Sequence, residues 1–160
     1  MDLAERIVGW ADEGEQVEAV VVHERETEVR AYEGEVESLT SAESQGVGVR
    51  VVRDGRQGFA YAGTLDPDAL AEVLAEARDN LTFATPDEHC ALAEPDGVEA
   101  AELDLYRATL VDHPTEAKVA LALDLERRTR AADPRISGVE SADYSDSISE
   151  SAVATTTGIL

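Results

Sequence analysis

Lysine is nearly absent from this 160-residue chain: of thirteen basic residues twelve are arginine and one, Lys118, is lysine. Thirty-five acids oppose them, for a formal net charge of −22. A surplus of this size repels phosphate backbones and anionic lipid, which excludes nucleic acid and membrane surfaces as expected partners. It also destabilises a compact chain in dilute buffer, whereas at molar salt the Debye length falls to about 3 Å and the repulsion is screened. The composition therefore points to a salt-adapted, halophilic cytoplasm; the bias toward Ala, Val, Asp and Arg also fits a GC-rich mesophile. Cysteine is equally scarce. Cys90 is the only one, which excludes an intrachain disulfide and a cysteine-built zinc site and leaves an unpaired thiol in a loop. No apolar run approaches the roughly 18 residues that a membrane helix needs. The opening "MDLAERIVGW" starts with an acid and lacks a signal-peptide core, so a cytoplasmic protein is expected. What is present is an apolar fraction of 43%, ordinary for a folded domain, in a chain long enough for one core or for one domain and the start of another.

Periodicity divides the chain. Leu3, Ile7, Val8, Trp10 and Ala11 recur at helical spacing up to Gly14, which predicts a first helix of about three turns. Alternation then predicts strands near 17–24, 26–33 and 35–43, with a turn at Gly34. Two further strands, 47–53 and 57–62, flank Asp54-Gly55, the strongest hairpin signal in the chain. A helix follows in "TLDPDALAEVLAEARDN": Asp66 caps, Pro67 suits the first turn, and Leu70, Val73, Leu74, Ala77 and Leu81 form one face. Residues 86–113 read as a long acidic loop. Thr115 to Pro134 reads as a third helix, with Arg127, Arg128 and Arg130 at its negative end. Beyond it two strands are expected around an Asp146-Ser147 turn. The fold class is α+β, a mostly antiparallel sheet packed by about three helices as a two-layer sandwich. The expected organisation is a strand meander with flanking helices over 1–85, the loop over 86–113, and a segment over 114–160 that looks cut short where it stops on apolar strand residues.

Most chemical motifs fail on spacing. Gly46 and Gly48 lead into a strand, without the third glycine of a dinucleotide fingerprint or the Gly-Lys-Ser/Thr of a P-loop, so phosphate binding is rejected. Gly46, Gly48 and Gly58 instead mark a bulge or a close backbone approach, and Gly55 is turn chemistry. His23-Glu24 begins like a zinc-protease helix, but positions 27 and 28 are Thr27 and Glu28, and the local alternation is that of a strand. His89 and His113 sit among acids in the long loop and read as solvated or capping residues. No serine has a histidine at readable spacing, and the carboxylates are too numerous for one pair to stand out. By its residues alone this is an acidic α+β domain.

The order of features resembles the N-terminal part of the TldD/PmbA family, the TldD–TldE or modulator-of-gyrase peptidases. The resemblance rests on a G-x-G-x-R-V…D-G-R…G-F-A pattern matched by Gly46, Gly48, Arg50, Val51, Asp54, Gly55, Arg56, Gly58, Phe59 and Ala60. "LDLYRATLVDHPTEAKVALALDLERRTRAADPRI" resembles the segment that follows in the PmbA/TldE branch, with Arg107 where that branch usually has Asp. The closing strands resemble those that end in an Asn-Ser-x-Gly turn, from which Thr155 to Thr157 depart.

What the resemblance implies is a zinc-dependent peptidase of two related subunits, a homo- or heterodimer, that admits unfolded peptides to an enclosed chamber. The metal ligands of that family, an H-E-x-x-x-H motif and a cysteine, match no residue here. No cofactor is expected in this chain; zinc is expected in the parent complex, and the chain alone is expected to be inactive. Its implied role is chamber wall and subunit interface, with a sheet edge able to take an extended peptide as an added strand. Gly46, Gly48, Arg50, Gly58 and Phe59 are the candidate peptide-binding or interface residues. The other reading is a free-standing acidic binding or assembly module.

Overall fold

A computed structural model describes residues 2–99 and 101–160. Helix α1 (Asp2–Val8) leads into three strands, β1 (Gln16–Tyr32), β2 (Glu35–Arg53) and β3 (Arg56–Ala62). Helix α2 (Pro67–Leu81), the single turn α3 (Ala108–Val111), helix α4 (Thr115–Ala132) and strand β4 (Ala142–Thr155) complete the order. The strands form one sheet, β3-β2-β1-β4. Its two hairpins turn on residue pairs with positive φ, Glu33-Gly34 (54° and 84°) and Asp54-Gly55 (51° and 68°). Such pairs twist with the flanking strands, which is why both turns need only two residues. The second turn fixes the β2–β3 register, Gly48 opposite Tyr61 and Arg50 opposite Phe59. β4 returns beside β1, its last turn bonding Thr156 N–H to the Val17 carbonyl at 2.9 Å.

The observed elements differ from the expected ones at four places. The first helix ends at Val8 after seven residues, and Trp10 and Ala11 fall in the turn beyond it. The strands expected at 17–24 and 26–33 are one strand, and so are those at 35–43 and 47–53. Neither junction holds a glycine in the left-handed region or a proline to turn the chain. The Asp146-Ser147 turn is also absent: β4 runs straight through, with no residue of positive φ between Ala142 and Thr155.

By its packing the chain divides into two units. The first comprises Met1–His23, Ser44–Ala101 and Ser149–Leu160. Alternation sends Val17 and Ala19 of β1, Val47, Val49 and Val51 of β2 and Ala60 of β3 to one face, where they meet Ala4 and Ile7 of α1 and Leu70, Val73, Leu74 and Ala77 of α2. Each fully buried Leu, Ile or Val contributes about 1.5–3 kcal/mol. Helix α2 starts where the Asp66 carboxylate accepts from Asp68 N–H at 3.0 Å, followed by Pro67 in the first turn. Gly58 lets it lie on the sheet: a Cβ there would sit 2.0 Å from the Ala77 carbonyl oxygen. Arg78 locks the far end of α2 by bonding Glu15 at 2.8 Å and the Trp10 carbonyl at 2.9 Å. Burial pushes the Glu15 carboxyl up, but its bonds from Arg78 and Asp12 N–H outweigh that and hold it below its ordinary value.

The long segment after α2 is partly a strap on this unit. Asp87 N–H bonds the Gly55 carbonyl at 2.7 Å, Leu92 N–H bonds Gln16 Oε1 at 2.9 Å, and Thr157 Oγ1 bonds the Ala93 carbonyl at 2.6 Å. Leu92 is buried beneath these bonds.

The second unit comprises Glu24–Glu43 and Glu102–Ile148. Its apolar core is small, Val29, Ala31, Ala122 and Ala142 with Val119, Leu123 and Tyr144 packed around them. Polar contacts add to it. Lys118, on the buried face of α4, bonds Asp146 at 2.7 Å and Thr27 at 3.1 Å, with the Tyr144 hydroxyl donating to Asp146 at 2.6 Å. Glu126 accepts from Gly34 N–H at 2.9 Å and so ties α4 to the β1–β2 turn. Among the described residues no helix is long and apolar enough to cross a membrane.

Candidate functional site

The helices of the first unit cover one face of its sheet, and the other face carries the candidate residues. Alternation places Glu18, Val20 and Val22 of β1, Gly46, Gly48 and Arg50 of β2, and Phe59 and Tyr61 of β3 on that side, where they line a shallow cleft of about 520 Å³. Its floor is low because Gly46 and Gly48 have no side chains. A Cβ on Gly46 would meet the Ala62 carbonyl oxygen at 2.9 Å, and one on Gly48 would meet the Phe59 ring at 3.3 Å. The Phe59 ring thus leans over Gly48, with the Tyr61 ring centred 6.2 Å from it. Both rings face solvent, Phe59 56% and Tyr61 76% exposed, although neighbouring apolar residues of the same strands are buried.

One end of the cleft is charged. The Arg50 guanidinium grips the Glu18 carboxylate with two bonds of 3.1 Å, the fork geometry in which both partners hold a fixed orientation. An apolar trough closed by an oriented ion pair can hold the side chains of an extended chain and offer polar partners to its backbone.

Four of the five candidates, Gly46, Gly48, Arg50 and Phe59, come together in this cleft. Gly58 does not; it faces α2 on the opposite side, as a close-approach glycine. Strand β2 lies inside the sheet at Gly48, between β1 and β3, so the backbone there is already paired and has no open edge for an added strand. Tyr61, Glu18, Val20 and Val22 complete the site. Tyr61 follows Phe59 at the two-residue spacing of one strand face, a readable signal, whereas the valine run 20–22 has no periodicity of its own to show which members point outward.

The histidines do not assemble. His23 lies on a strand, His89 is exposed beside Glu88, and His113 lies in the second unit with Asp146. Among the described residues no three His, Cys, Asp or Glu side chains are grouped to hold a metal ion.

Residues 17–81 match the PmbA/TldA metallopeptidase domain 1, and residues 109–160 match the central domain of the same family. The chain belongs to the PmbA/TldD metallopeptidase family. An uncharacterised protein of Methanocaldococcus jannaschii is 34% identical over 115 residues, which cover 70% of this chain and 27% of that protein. The metalloprotease PmbA of Escherichia coli is 30% identical over 113 residues, 69% of this chain and 25% of that protein. The chain thus spans about a quarter of the length of these PmbA/TldD relatives. Among solved structures, a candidate modulator of DNA gyrase from Bacteroides thetaiotaomicron aligns over 99% of this chain and 37% of its own, with a TM-score of 0.84 at 20% identity. TldE from Thermococcus kodakarensis aligns over 98% of this chain and 34% of its own, with a TM-score of 0.73 at 18% identity. The α+β fold of the PmbA/TldD N-terminal region is therefore that of this chain.

Proposed function

We propose that this chain is the non-catalytic N-terminal part of a PmbA/TldD-type peptidase subunit. In this reading it builds wall and subunit interface for a chamber that admits unfolded peptide. The observation that carries the reading is the glycine-floored cleft, with two solvent-facing aromatic rings on the helix-free side of the sheet. An unfolded peptide presents apolar side chains and unpaired backbone groups together. The trough over Gly46 and Gly48 offers contact to the former, and the Arg50–Glu18 pair offers bonding to the latter. In this reading zinc and the cleavage step belong to the rest of the parent protein, where the family's H-E-x-x-x-H motif is expected. The homologous second subunit of a homo- or heterodimer is the expected partner.

The test uses the complete subunit with its homologous partner. Phe59→Ala with Tyr61→Ala should raise KM for an unstructured peptide about tenfold, the effect of losing roughly 1.4 kcal/mol of binding, with little change in kcat. Gly48→Val, which fills the floor, should act in the same direction while melting within a few degrees of the parent. Unchanged KM in both variants would remove the peptide from this cleft. Failure of the first variant to associate with its partner subunit would make the face purely an interface.

A further inference from the structure

The groove does not end at Arg50. That guanidinium also lines a second cavity of about 530 Å³, whose other walls include Gln57 of β3 and the strap residues Thr85, Asp87 and Cys90. Gln57 lies two residues before Phe59, on the same face of β3 and opposite Val52, which carries the groove on toward the Asp54-Gly55 turn. The strap is fixed where it forms this wall. Asp87 N–H bonds the Gly55 carbonyl at 2.7 Å, a Cβ on Gly55 would lie 2.8 Å from the Asp87 carbonyl oxygen, and Arg56 donates to the Ala84 carbonyl at 2.8 Å. The two compartments differ in chemistry. Valines, glycines and aromatic rings line the first, whereas polar groups with unused bonding capacity line the second. Arg50 donates to Glu18 through Nε and Nη2, and among the described residues its Nη1 has no partner. Asp87 accepts from His89 N–H through Oδ1, which leaves Oδ2 as an acceptor.

We infer that the second compartment is a specificity pocket for a carboxamide side chain, glutamine or asparagine, on a peptide whose neighbouring apolar residues lie in the trough. A carboxamide is an acceptor and a donor at once and carries no charge. Its oxygen suits Arg50 Nη1, and its N–H suits Asp87 Oδ2. A carboxylate in its place would accept from Arg50 but meet the negative charges of Glu18 and Asp87 against that one guanidinium. A lysine ammonium would donate to Asp87 and offer Arg50 no acceptor. An apolar side chain would displace water from both groups and leave them unbonded, the loss by which a polar site rejects an analogue. In an extended chain, residues two apart face the same way at a separation of about 7 Å, the step from Gly48 to Arg50 along β2, so the carboxamide belongs two residues from the apolar one. The inference rests on the cleft as a peptide site and adds to it a side-chain preference.

The experiment measures binding to the complete protein in about 1 M KCl, where general repulsion from the acidic surface is screened. The probes are threonine heptapeptides with two leucines at alternate positions and glutamine, methionine or glutamate two residues before or after the pair. In one of the two orders the glutamine peptide should bind about fivefold more tightly than either alternative, the effect of one hydrogen bond. It should also slow alkylation of Cys90, which lines the compartment and is half-buried, as read by mass spectrometry of the fragment that carries it. A pentapeptide with the leucines alone should leave that rate unchanged. Asp87→Asn keeps an oxygen for His89 N–H but turns the second acceptor into a donor, so it should abolish the preference for glutamine over glutamate. It should not shift Tm, since Asp87 is exposed. Equal binding of the glutamine and methionine peptides in both orders, unchanged Cys90 alkylation, or an unaltered preference in Asp87→Asn would overturn the pocket and leave the cleft reading intact. No binding by any peptide at about 1 mM would overturn both.

Discussion

Removing the Lys118 ammonium would leave the Asp146 carboxylate buried with only the Tyr144 hydroxyl as a bonded partner. An unpaired buried charge is expensive, so Lys118→Ala should destabilise the second unit by about 3 kcal/mol in urea unfolding. Lys118→Met with Asp146→Leu should recover most of the loss. Burial raises the Asp146 carboxyl, but bonds from Lys118 and Tyr144 and the nearby positive charges outweigh it and hold it below its usual range. A depressed folded pKa contributes stability that is complete above the unfolded value of about 3.9 and is lost as pH falls through the lower folded value. Acid titration of the parent should show this drop, and Lys118→Met with Asp146→Leu should show a smaller one, since the Glu15 carboxyl, also held low, still contributes. The Tyr144 phenol behaves oppositely, pushed up to about 12 by burial and by Asp146. At glycines the contrast is steric. Gly58→Ala puts a methyl into the α2 backbone and should cost about 3 kcal/mol, whereas Gly48→Ala asks only that the Phe59 ring yield and should cost under about 1 kcal/mol. The sequence marked all three strand glycines alike; which ones touch backbone depends on the face each occupies, and that is settled by the β2–β3 register.

Helix α2 and the Asp54-Gly55 hairpin were legible because their signals are local: a cap, a proline, one apolar face and a two-residue turn. Asp66→Ala should therefore cost about 1 kcal/mol, read as a lower denaturation midpoint of the first unit. The merging of the expected short strands was not legible. The alternation around "HERETE" reads as strand, yet the expected strands divide at residue 25; no residue there turns the chain, and a charged stretch remains in one strand wherever its faces reach solvent. Asp146 misled for a related reason, as an Asp-Ser pair favours turns in isolation while here its carboxylate is held inward by Lys118. Most of the cleft could be read from the glycine spacing and the Phe59 and Tyr61 alternation. Glu18 could not, since its partnership with Arg50 is long-range.

Across the whole molecule the charge of −22 is carried largely by side chains at the surface, where salt screens it. The melting temperature should rise steadily from 0.1 M to 2 M KCl, and Glu→Gln substitutions at exposed sites should flatten that rise; a salt-independent melt would contradict salt adaptation. Family membership and fold class were legible at this scale because they rest on the order of elements along the chain, whereas the division into two packing units was not, since β1, β2 and β4 pass through both. The near-absence of lysine has a practical side. Lys118 is the sole side-chain amine and is only 6% exposed, so an amine-reactive acylating reagent meets no lysine at the surface of the folded protein. Its rate of covalent labelling at that one residue therefore clocks how often the second unit opens.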